Sequence, residues 1–297
     1  MDSEELPLAR STIDRDALIR TDPGELRRVW ADPRLRMMHV RGNDVAVRGE
    51  RLELTEVQGD VRASGGRSLT WAYLGKDHLG PVIAALHPAG EEGPAWASLR
   101  AVGALLPARE AGLATAAVAL ANWHATHTHC PRCGAATKIT ASGWVRVCPV
   151  DNSQHFPRTD AAVIMAIIDS FDRILLAHNA MWPANRFSVP AGYVEPGEPL
   201  EAAVRREVWE ETAIRVGRVA YQGSQPWPFP ASLMVGFRGE ALNAEPIPDG
   251  EEITEVRFFS RADLARAVAA GELLLPGTTS IARSLIEDWY GGAIPGA

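Results

Sequence analysis

The chain has 297 residues, of which 46% are hydrophobic and 23% charged, a composition typical of a soluble globular protein with room for two or three domains. Its net charge of −7 argues against a general DNA or RNA coat protein, because such binding depends on Lys and Arg replacing counterions on phosphates. The longest apolar run, 161–168, is too short to span a bilayer. The acidic start MDSEELPLAR lacks the pattern of a secretory signal, which predicts a cytoplasmic protein with no membrane partner.

The first stretch, 1–126, combines short strand patterns with one long helix pattern. Apolar runs at 37–40, 44–47 and 82–86 are separated by Gly, Pro and charged clusters, which is typical of short β-strands. The Ala-rich stretch 107–127 places apolar residues three and four positions apart, which predicts a helix. We therefore expect a small mixed α/β domain over 1–126 that ends in a connecting helix.

Three cysteines mark the next segment, 127–157. Cys130 and Cys133 are separated by two residues, Cys148 follows after fourteen more, and Asp151 stands where a second pair would place its last cysteine. This spacing is typical of a zinc ribbon, in which the metal holds together a segment too small for its own core. Two alternatives stay open, namely free structural thiols and a Cys₃His zinc site. The histidines available for that site are His127, His129 and His155.

The remaining stretch, 158–297, has the element order of a mixed α/β domain. Two apolar runs, DAAVIMAIID and RILLAHN, predict a hairpin whose turn is 169–172. After a loop at 181–198, a helix is predicted from Pro199 to Thr212. Further strands are predicted around LMVGFRGEA and EVRFFS, followed by two closing helices at 261–270 and 278–290.

The predicted helix carries acidic residues on its apolar face. An advance of about 100° per residue puts Glu207 and Glu211 on the same side as Val204 and Val208, with Glu210 beside them. Carboxylates three and four positions apart repel one another, and turning them inward removes them from water. A hard cation such as Mg²⁺ or Mn²⁺ would offset both penalties. The alternative is a solvated acidic helix paired with its own arginines.

The sequence around this helix resembles the box of the Nudix hydrolases. Gly192 is followed after five residues by Glu198, and after seven more by the run 206–211, which is Arg-Glu-apolar-any-Glu-Glu. One departure is Ala213, where the family usually has Gly, and we expect a local backbone adjustment there. The resemblance implies an α/β/α sandwich for 158–297 and cleavage of a nucleoside diphosphate linked to another moiety.

The resemblance also implies roles for individual residues. Four groups are implied as ligands of Mg²⁺ or Mn²⁺: the carboxylates of Glu207, Glu210 and Glu211 and the carbonyl of Ala191. Arg206 is implied to orient the glutamates through charged hydrogen bonds, and Glu198 to support the metal cluster or its loop. One glutamate, Glu210 or Glu211, is implied as the base that deprotonates the attacking water. Metal ions in such a site neutralise the pyrophosphate and lower the pKa of a bound water.

A second motif, SQPWPFPASLM at 224–234, places two aromatic residues among three prolines, and we call it the proline-aromatic loop. The prolines exclude an interior strand or helix. They also reduce the freedom of the unbound loop, so that Trp227 and Phe229 need less ordering when a flat base binds. Together with the ribbon and the box, this run resembles the NADH pyrophosphatases of the NudC type. The alternatives are a packed turn and a proline-rich ligand for another domain.

This second resemblance implies a set of substrate contacts. Within the proline-aromatic loop they are Gln225, Pro226, Trp227, Pro228, Phe229, Pro230, Ala231 and Ser232. Outside the loop they are Phe156, Glu252, Ala282 and Arg100. Ordinary packing is the alternative role for Phe156, and a plain surface charge is the alternative for Arg100.

These patterns together imply a hydrolase dependent on Mg²⁺ or Mn²⁺, with Zn²⁺ in the cysteine cluster. Its expected reaction splits the pyrophosphate of NADH or NAD⁺ into nicotinamide mononucleotide and AMP, and the same cleavage would remove NAD caps from RNA 5′ ends. The resemblance also implies a homodimer. Two alternatives are a pyrophosphatase for ADP-ribose or another nucleoside diphosphate derivative, and a nucleotide sensor without turnover, which has little need of three retained glutamates.

Overall fold

The computed structural model of the protein describes residues 6–57, 69–88 and 95–296. These residues form two compact units, which are described one at a time. The N-terminal unit consists of residues 10–159 together with 227–231. The C-terminal unit consists of residues 160–226 and 232–296, joined by residues 6–9. Among the described residues, no helix has both the length and the hydropathy needed to cross a bilayer.

The N-terminal unit contains a mixed sheet, a long helix and a small second sheet. Its helices are α1 (Pro23–Ala31), α2 (Leu99–Val102) and α3 (Ala108–Thr126), and its strands are β1 (Arg36–Arg41), β2 (Asp44–Arg48), β3 (Arg51–Leu52), β4 (Leu54–Glu56), β5 (Thr70–Asp77), β6 (Gly80–His87), β7 (Trp96–Ser98), β8 (Lys138–Thr140), β9 (Val145–Val147) and β10 (Gln154–His155). Short 3₁₀ turns lie at Ala17–Thr21 and Ala141–Gly143. The strands predicted at 37–40, 44–47 and 82–86 are thereby confirmed as parts of β1, β2 and β6.

The larger sheet of this unit has the order β3, β2, β1, β6, β5, with β4 paired to β1 and β7 paired to β2. The β1 and β6 strands run parallel, and β6 is buried along almost its whole length because it lies between two neighbours. Helix α3 contacts β1, β2, β3, β5 and β6. Most of its side chains are buried, which explains why alanines dominate it. The predicted connecting helix is therefore a packed element of the unit.

The cysteine segment folds as a three-stranded antiparallel sheet in the order β10, β9, β8. Turns carry Cys130 and Cys133 before the first strand, and Cys148 lies between β9 and β10. So small a sheet buries little apolar surface, and side-chain contacts around the cysteines take the place of a core. This arrangement is the zinc-ribbon-like segment that the cysteine spacing predicts.

The C-terminal unit is a sheet between two layers of helix. Its strands are β11 (Asp160–Ile168), β12 (Ile174–Asn179), β13 (Ala191–Tyr193), β14 (Val216–Trp227), β15 (Ser232–Ala241) and β16 (Ile253–Phe259), and its helices are α4 (Leu200–Thr212), α5 (Arg261–Ala269) and α6 (Ile281–Tyr290). The sheet order is β14, β15, β11, β12, β16, with β13 paired to β11. The β11 and β15 strands are parallel, whereas β12 and β13 pair antiparallel to β11.

Alternating residues of β11 divide the core of this unit into two. Val163, Met165 and Ile167 pack with the buried face of α4, and the residues between them pack with α5 and α6. This is the period-two pattern of a strand with both faces covered. The predicted α/β/α sandwich is confirmed, as is the β11–β12 hairpin. The helix predicted from Pro199 to Thr212 is confirmed as α4, which begins one residue later, at Leu200.

Three features of this unit differ from the sequence-based expectation. The predicted loop 181–198 contains the short strand β13, and a long strand, β14, precedes and enters the proline-aromatic loop. Pro226 is tolerated in β14 because this strand lies at the edge of the sheet. Residues 6–9, assigned to the first domain from sequence, pack in the C-terminal unit because Leu6 and Leu8 are apolar and almost fully buried there.

Candidate active site

Helix α4 brings the predicted glutamates to one edge of the sandwich. The helix packs against β11, β13 and β16. Its own residues Ala203, Val204 and Val208 form the packed face and are fully buried. Burial of that face fixes the rotation of the helix, so Glu207 and Glu211 are drawn inward while Glu210 stays exposed. Trp209, on the outer side of the same helix, is half exposed. The apolar stripe of the helix therefore determines where the carboxylates point.

Glu211 is the most unusual carboxylate of the site. Only 7% of its surface is exposed, and its Oε2 atom has no hydrogen-bond partner among the described residues. Burial, together with the neighbouring charges of Glu207, Glu252, Asp249 and Glu210, raises the pKa of Glu211 to about 8. An unpaired buried carboxylate among other acids is costly unless a cation accompanies it. Its surroundings therefore fit a divalent metal ion.

Glu207 lies directly over the backbone of Gly192. A Cβ atom at Gly192 would come within 1.9 Å of the carboxyl carbon of Glu207. Burial raises the pKa of Glu207, although the Arg206 guanidinium opposes the shift. The glycine of the box is needed here for close approach of a side chain, because any larger residue would displace this carboxylate.

Arg206 ties the acidic residues together. Its Nη1 donates to Glu207 Oε1 at 2.8 Å and to Glu210 Oε2 at 3.1 Å. Its Nε and Nη2 atoms donate to the two oxygens of Glu198 at 2.9 and 2.7 Å, and Nη2 also donates to the carbonyl of Tyr193 at 3.0 Å. These bonds raise the pKa of Arg206 and lower that of Glu198. The structure thus brings together the box residues that sequence spacing singled out.

Two residues that sequence reasoning missed hold Glu252 beside this cluster. Asp249 Oδ1 accepts hydrogen bonds from the backbone N–H groups of Glu251, Glu252 and Ile253 at 2.7, 2.9 and 3.0 Å. Asn179 Nδ2 donates to Glu252 Oε1 at 3.1 Å. The signal for Asp249 was available, since Asp before Gly favours a turn that its own side chain caps. Asn179 carried no such signal.

Strand β13 lies beside the glutamates of α4 and contributes backbone groups to the site. Ala191 and Gly192 pair with Ile164 and Val163 of β11. This pairing fixes the position of the Ala191 carbonyl along the sheet. Tyr193 follows, half exposed, and its hydroxyl lies 3.1 Å from Ser232 Oγ. The exposed Tyr193 ring is a candidate surface for a base, and it lies on the opposite face of β13 from the Gly192 position that meets Glu207.

Gln225 and Ala282 occupy buried positions in the C-terminal unit. Gln225 is 0% exposed, its Oε1 accepts from Leu8 N at 3.2 Å, and its Nε2 donates to Thr279 O at 3.0 Å. The side chain thus bridges segments distant in sequence. Ala282 is almost fully buried in α6. Contact of these two side chains with a substrate stays a prediction, and in this structure Gln225 acts as a brace.

In the N-terminal unit, the middle of the proline-aromatic loop is packed. The rings of Trp227 and Phe229 meet edge to face with centroids 4.8 Å apart, and Pro228 is buried. Ala231 is half-buried, whereas Pro230, joined to Phe229 by a cis peptide bond, is exposed. Pro226, which belongs to the C-terminal unit, is half-buried. The Arg100 guanidinium lies 4.5 Å from the Phe229 ring centroid.

Phe156, elsewhere in this unit, is 62% exposed. An apolar ring so open to solvent is available to stack on a base. Its predicted contact with a substrate stays a prediction.

The ribbon gathers the predicted ligand set of three cysteines and one aspartate. The ligand atoms of Cys130, Cys133, Cys148 and Asp151 all lie within 4.8 Å of one another. Burial opposes ionisation of Cys130, yet the backbone N–H groups of Arg132 and Cys133 lower its pKa to about 6. Thiolates with one carboxylate are a donor set that suits zinc.

The histidines of the Cys₃His alternative have other neighbours. His127 Nδ1 lies 2.9 Å from Thr126 Oγ1, His129 Nδ1 lies 2.9 Å from Thr128 Oγ1, and His155 Nε2 lies 3.1 Å from Ser153 Oγ. Ser153 in turn donates to Asp151 Oδ1 from its N–H at 2.9 Å and from its hydroxyl at 2.6 Å. The geometry therefore favours Asp151 as the fourth donor.

Comparison with known proteins agrees with this layout. Three family models match in chain order: the NADH pyrophosphatase-like rudimentary NUDIX domain over 35–123, the NADH pyrophosphatase zinc ribbon domain over 125–156, and the NUDIX domain over 157–276. A crystal structure of a NUDIX hydrolase from Nitrosomonas europaea is similar at a TM-score of 0.43 with 22% identity, covering 56% of this chain and 94% of that one.

Curated relatives resemble the chain over most of its length. The NAD-capped RNA hydrolase NudC of Mycobacterium bovis is 39% identical over 301 residues, which covers 95% of this chain and 94% of that protein. The NAD-capped RNA hydrolase NUDT12 of Homo sapiens is 38% identical over 196 residues, covering 62% of this chain and 42% of that protein. The chain is therefore a Nudix hydrolase and belongs to the NudC-type family of NADH pyrophosphatases.

Proposed function

We propose that this chain hydrolyses the pyrophosphate of NADH or NAD⁺ to nicotinamide mononucleotide and AMP, and that it removes NAD caps from RNA 5′ ends by the same cleavage. The observation that carries this proposal is the buried carboxylate oxygen of Glu211, which finds no hydrogen-bond partner in the described part of the chain, next to Glu207 held over Gly192. A divalent cation is the charge that such a cluster lacks, and a cation held there would in turn attract a diphosphate.

The residues of the cluster divide the work of the reaction. Glu207, Glu210, Glu211 and the Ala191 carbonyl would hold Mg²⁺ or Mn²⁺, which when bound neutralises the diphosphate and lowers the pKa of a bound water. Arg206 holds Glu207 and Glu210 in fixed positions, so that little reorganisation is needed when substrate enters. A glutamate, Glu210 or Glu211, accepts the proton of the attacking water. The new P–O bond forms as the bridging P–O bond breaks, which leaves two monophosphates.

The substrate side of the proposal rests on the proline-aromatic loop. Trp227 and Phe229 present flat rings from a segment that prolines keep stiff, and Tyr193 presents another exposed ring in the C-terminal unit. Direct contacts of Phe156, Arg100, Glu252 and the loop residues with substrate belong to this proposal. We further infer a cytoplasmic homodimer with zinc in the ribbon, which light scattering and metal analysis of the purified protein would test.

The reaction is tested by chromatographic product analysis. NADH, NAD⁺, ADP-ribose and FAD are supplied separately, each with Mn²⁺ or with a chelator. Metal-dependent formation of AMP and reduced nicotinamide mononucleotide, strongest from NADH, is the expected result. Preference for ADP-ribose would retain the chemistry and overturn the substrate, whereas no product from any of the four would favour a nucleotide sensor.

A matched pair of variants tests the assignment of the glutamates. Glu207→Gln keeps the size of the side chain but removes a metal ligand, so kcat should fall by more than about 100-fold with the fold intact. Glu201→Gln changes an exposed glutamate in the first turn of the same helix and should leave kcat within about twofold. Near-normal turnover by Glu207→Gln with Mg²⁺ would contradict the assignment of Glu207 as a metal ligand.

A further inference from the structure

We propose that Asn122 is a positioning residue for the proline-aromatic loop: its side-chain amide, together with the Arg100 guanidinium, holds residues 227–231 in the conformation that receives the dinucleotide. This inference rests on the proposed function for its catalytic consequence. The residues that carry it belong to the N-terminal unit. They give the rudimentary NUDIX domain of this chain a task in substrate selection.

The loop has few means of holding itself in place. Residues 226–230 contain three prolines, which have no N–H to donate. Phe229 N–H donates to the nearby Trp227 carbonyl at 2.7 Å, a bond that closes a tight local turn. The Pro228 carbonyl belongs to a buried residue and therefore needs a donor from elsewhere in the fold.

Asn122 supplies that donor from helix α3. Its Nδ2 donates to the Pro228 carbonyl at 2.7 Å and to Asn43 Oδ1 at 2.9 Å. An amide nitrogen has two hydrogens, so these two acceptors use both and fix the orientation of the amide. Asn43 is held in turn, because its own carbonyl accepts from the N–H of Leu99 at 3.0 Å. The Asn122 amide that donates to the loop is thus held by helix α3 and by Asn43.

Arg100 holds the same segment by contact with the rings of Trp227 and Phe229. Its guanidinium carbon lies 4.5 Å from the Phe229 ring centroid and 5.5 Å from that of Trp227. Such distances correspond to cation–π attraction, which draws the two rings toward helix α2. Arg100 directly follows Leu99, whose N–H donates to the Asn43 carbonyl. The hydrogen bond that holds Asn43, the partner of Asn122, therefore also positions Arg100. Asn122 acts on the substrate through the loop, and Arg100 helps to hold the same two rings in place.

The consequence is a loop that is ordered before substrate arrives. Rings that are already placed lose less conformational freedom on binding a base, which strengthens binding without changing the chemical step. Loss of the Asn122 tether should therefore raise KM and leave kcat largely unchanged. A general loss of folding would instead reduce the active fraction and lower the apparent kcat.

The test uses Asn122→Asp, which has nearly the same shape but cannot donate to Pro228, and Asn122→Ala. We expect KM for NADH to rise about three- to tenfold in both variants, with kcat within about twofold of wild type. In the free protein, hydrogen exchange in a peptide spanning 224–234 should accelerate by about threefold or more, while α3 stays protected. Asn185→Asp is the matched control, because Asn185 Nδ2 also donates to a backbone carbonyl, that of Gly271.

Each outcome decides a separate question. Wild-type KM and wild-type exchange in Asn122→Asp would overturn the tether, and so would a fall in kcat at constant KM. A control variant that raised KM equally would show that the effect is not specific to the loop and would also overturn it. If the wild-type protein cleaved no dinucleotide, the proposed function would fail, yet exchange in the free protein would still decide whether Asn122 orders the loop.

Discussion

Gly192 limits how the metal-binding cluster can be built. Because a Cβ at this position would lie 1.9 Å from the carboxyl carbon of Glu207, Gly192→Ala must push the carboxylate away from its place. A misplacement of about 1 Å in a catalytic site can reduce turnover by about 100-fold. We expect kcat/KM for NADH in Mn²⁺ to fall by that order, with the unfolding transition largely retained.

Gly277→Ala is the control for this prediction. No heavy atom lies within 4 Å of the Cβ that it would add, and Gly277 is in the same unit. This variant should keep kcat/KM within about twofold of wild type. Equal activities of the two alanine variants would show that Glu207 has room to move without losing its function.

Ala213 shows how the departure from the family box is accommodated. The expected backbone adjustment is not seen, since Ala213 adopts the left-handed conformation, with φ 55° and ψ 18°, in which a glycine commonly ends a helix. The Asn243 amide donates to its carbonyl at 3.2 Å, which helps to hold it there. A left-handed conformation costs a residue with a Cβ about 1–2 kcal/mol, and greater freedom of glycine in the unfolded chain offsets part of this.

Ala213→Gly should therefore stabilise the protein by about 0.5–1 kcal/mol. The corresponding rise in the thermal midpoint of the unit is roughly 2–4 °C, measured by calorimetry in the presence of chelator. A midpoint equal to or below that of wild type would indicate that the surrounding contacts already absorb the strain of Ala213.

At the scale of elements, His124 joins helix α3 to the ribbon. Its Nε2 lies 2.8 Å from the Gly143 carbonyl, and its Nδ1 lies 2.9 Å from Arg146 Nη1. The carbonyl can only accept and the guanidinium can only donate, so the neutral ring carries its hydrogen on Nε2. Burial, with a further contribution from the Arg146 charge, lowers the pKa of His124 to about 4.

This depressed pKa predicts a loss of stability in acid. Between pH 6.5 and 4 the unfolded chain binds a proton at this histidine and the folded chain does not, so the free energy of unfolding falls as the pH falls. The full contribution is roughly 3 kcal/mol. Urea unfolding at a series of pH values should show this decline in wild type and a flatter profile in His124→Gln. Parallel profiles would mean that His124 titrates alike in both states.

The ribbon offers a prediction about metal affinity. Asp151 is the one oxygen donor among three thiols, and a fourth thiolate would suit zinc better. Asp151→Cys should retain zinc roughly tenfold longer than wild type against a chelator, whereas Asp151→Ala should lose it faster. Zinc content is measured by atomic absorption after the challenge. Equal retention by wild type and Asp151→Ala would exclude Asp151 from the ligand set.

Elements with a long, regular pattern could be predicted, and those formed by pairing could not. Helix α4 and strand β11 carry their periodicity and their charged or apolar faces in their own residues. Strand β13 has three residues, and it is a strand because Ala162, Val163 and Ile164 of β11 pair with it. Likewise, the burial of Gln225 depends on Leu8 and Thr279, which no local pattern connects to it.

The whole molecule distributes its charge unevenly. In the sequence, residues 10–159 and 227–231 contain 19 Lys and Arg against 15 Asp and Glu. The rest of the chain contains 11 Lys and Arg against 22 Asp and Glu. The net charge of −7 therefore conceals a basic N-terminal unit, and the overall acidity does not exclude an RNA chain as part of the substrate.

An RNA chain held by basic side chains makes binding depend on salt, whereas a free dinucleotide offers no such chain. If about three phosphates of a capped oligonucleotide are neutralised, each contributes about 0.7 to the logarithmic slope, and raising the salt from about 50 to 200 mM should raise KM about 20-fold. KM for NADH should change by less than about threefold over the same range, because its diphosphate would be bound through the metal ions that the glutamates hold and not through basic side chains. The measurement compares both substrates in one titration. Equal slopes would mean that the protein recognises only the cap, since nucleotides beyond the cap would then contribute no ionic contacts.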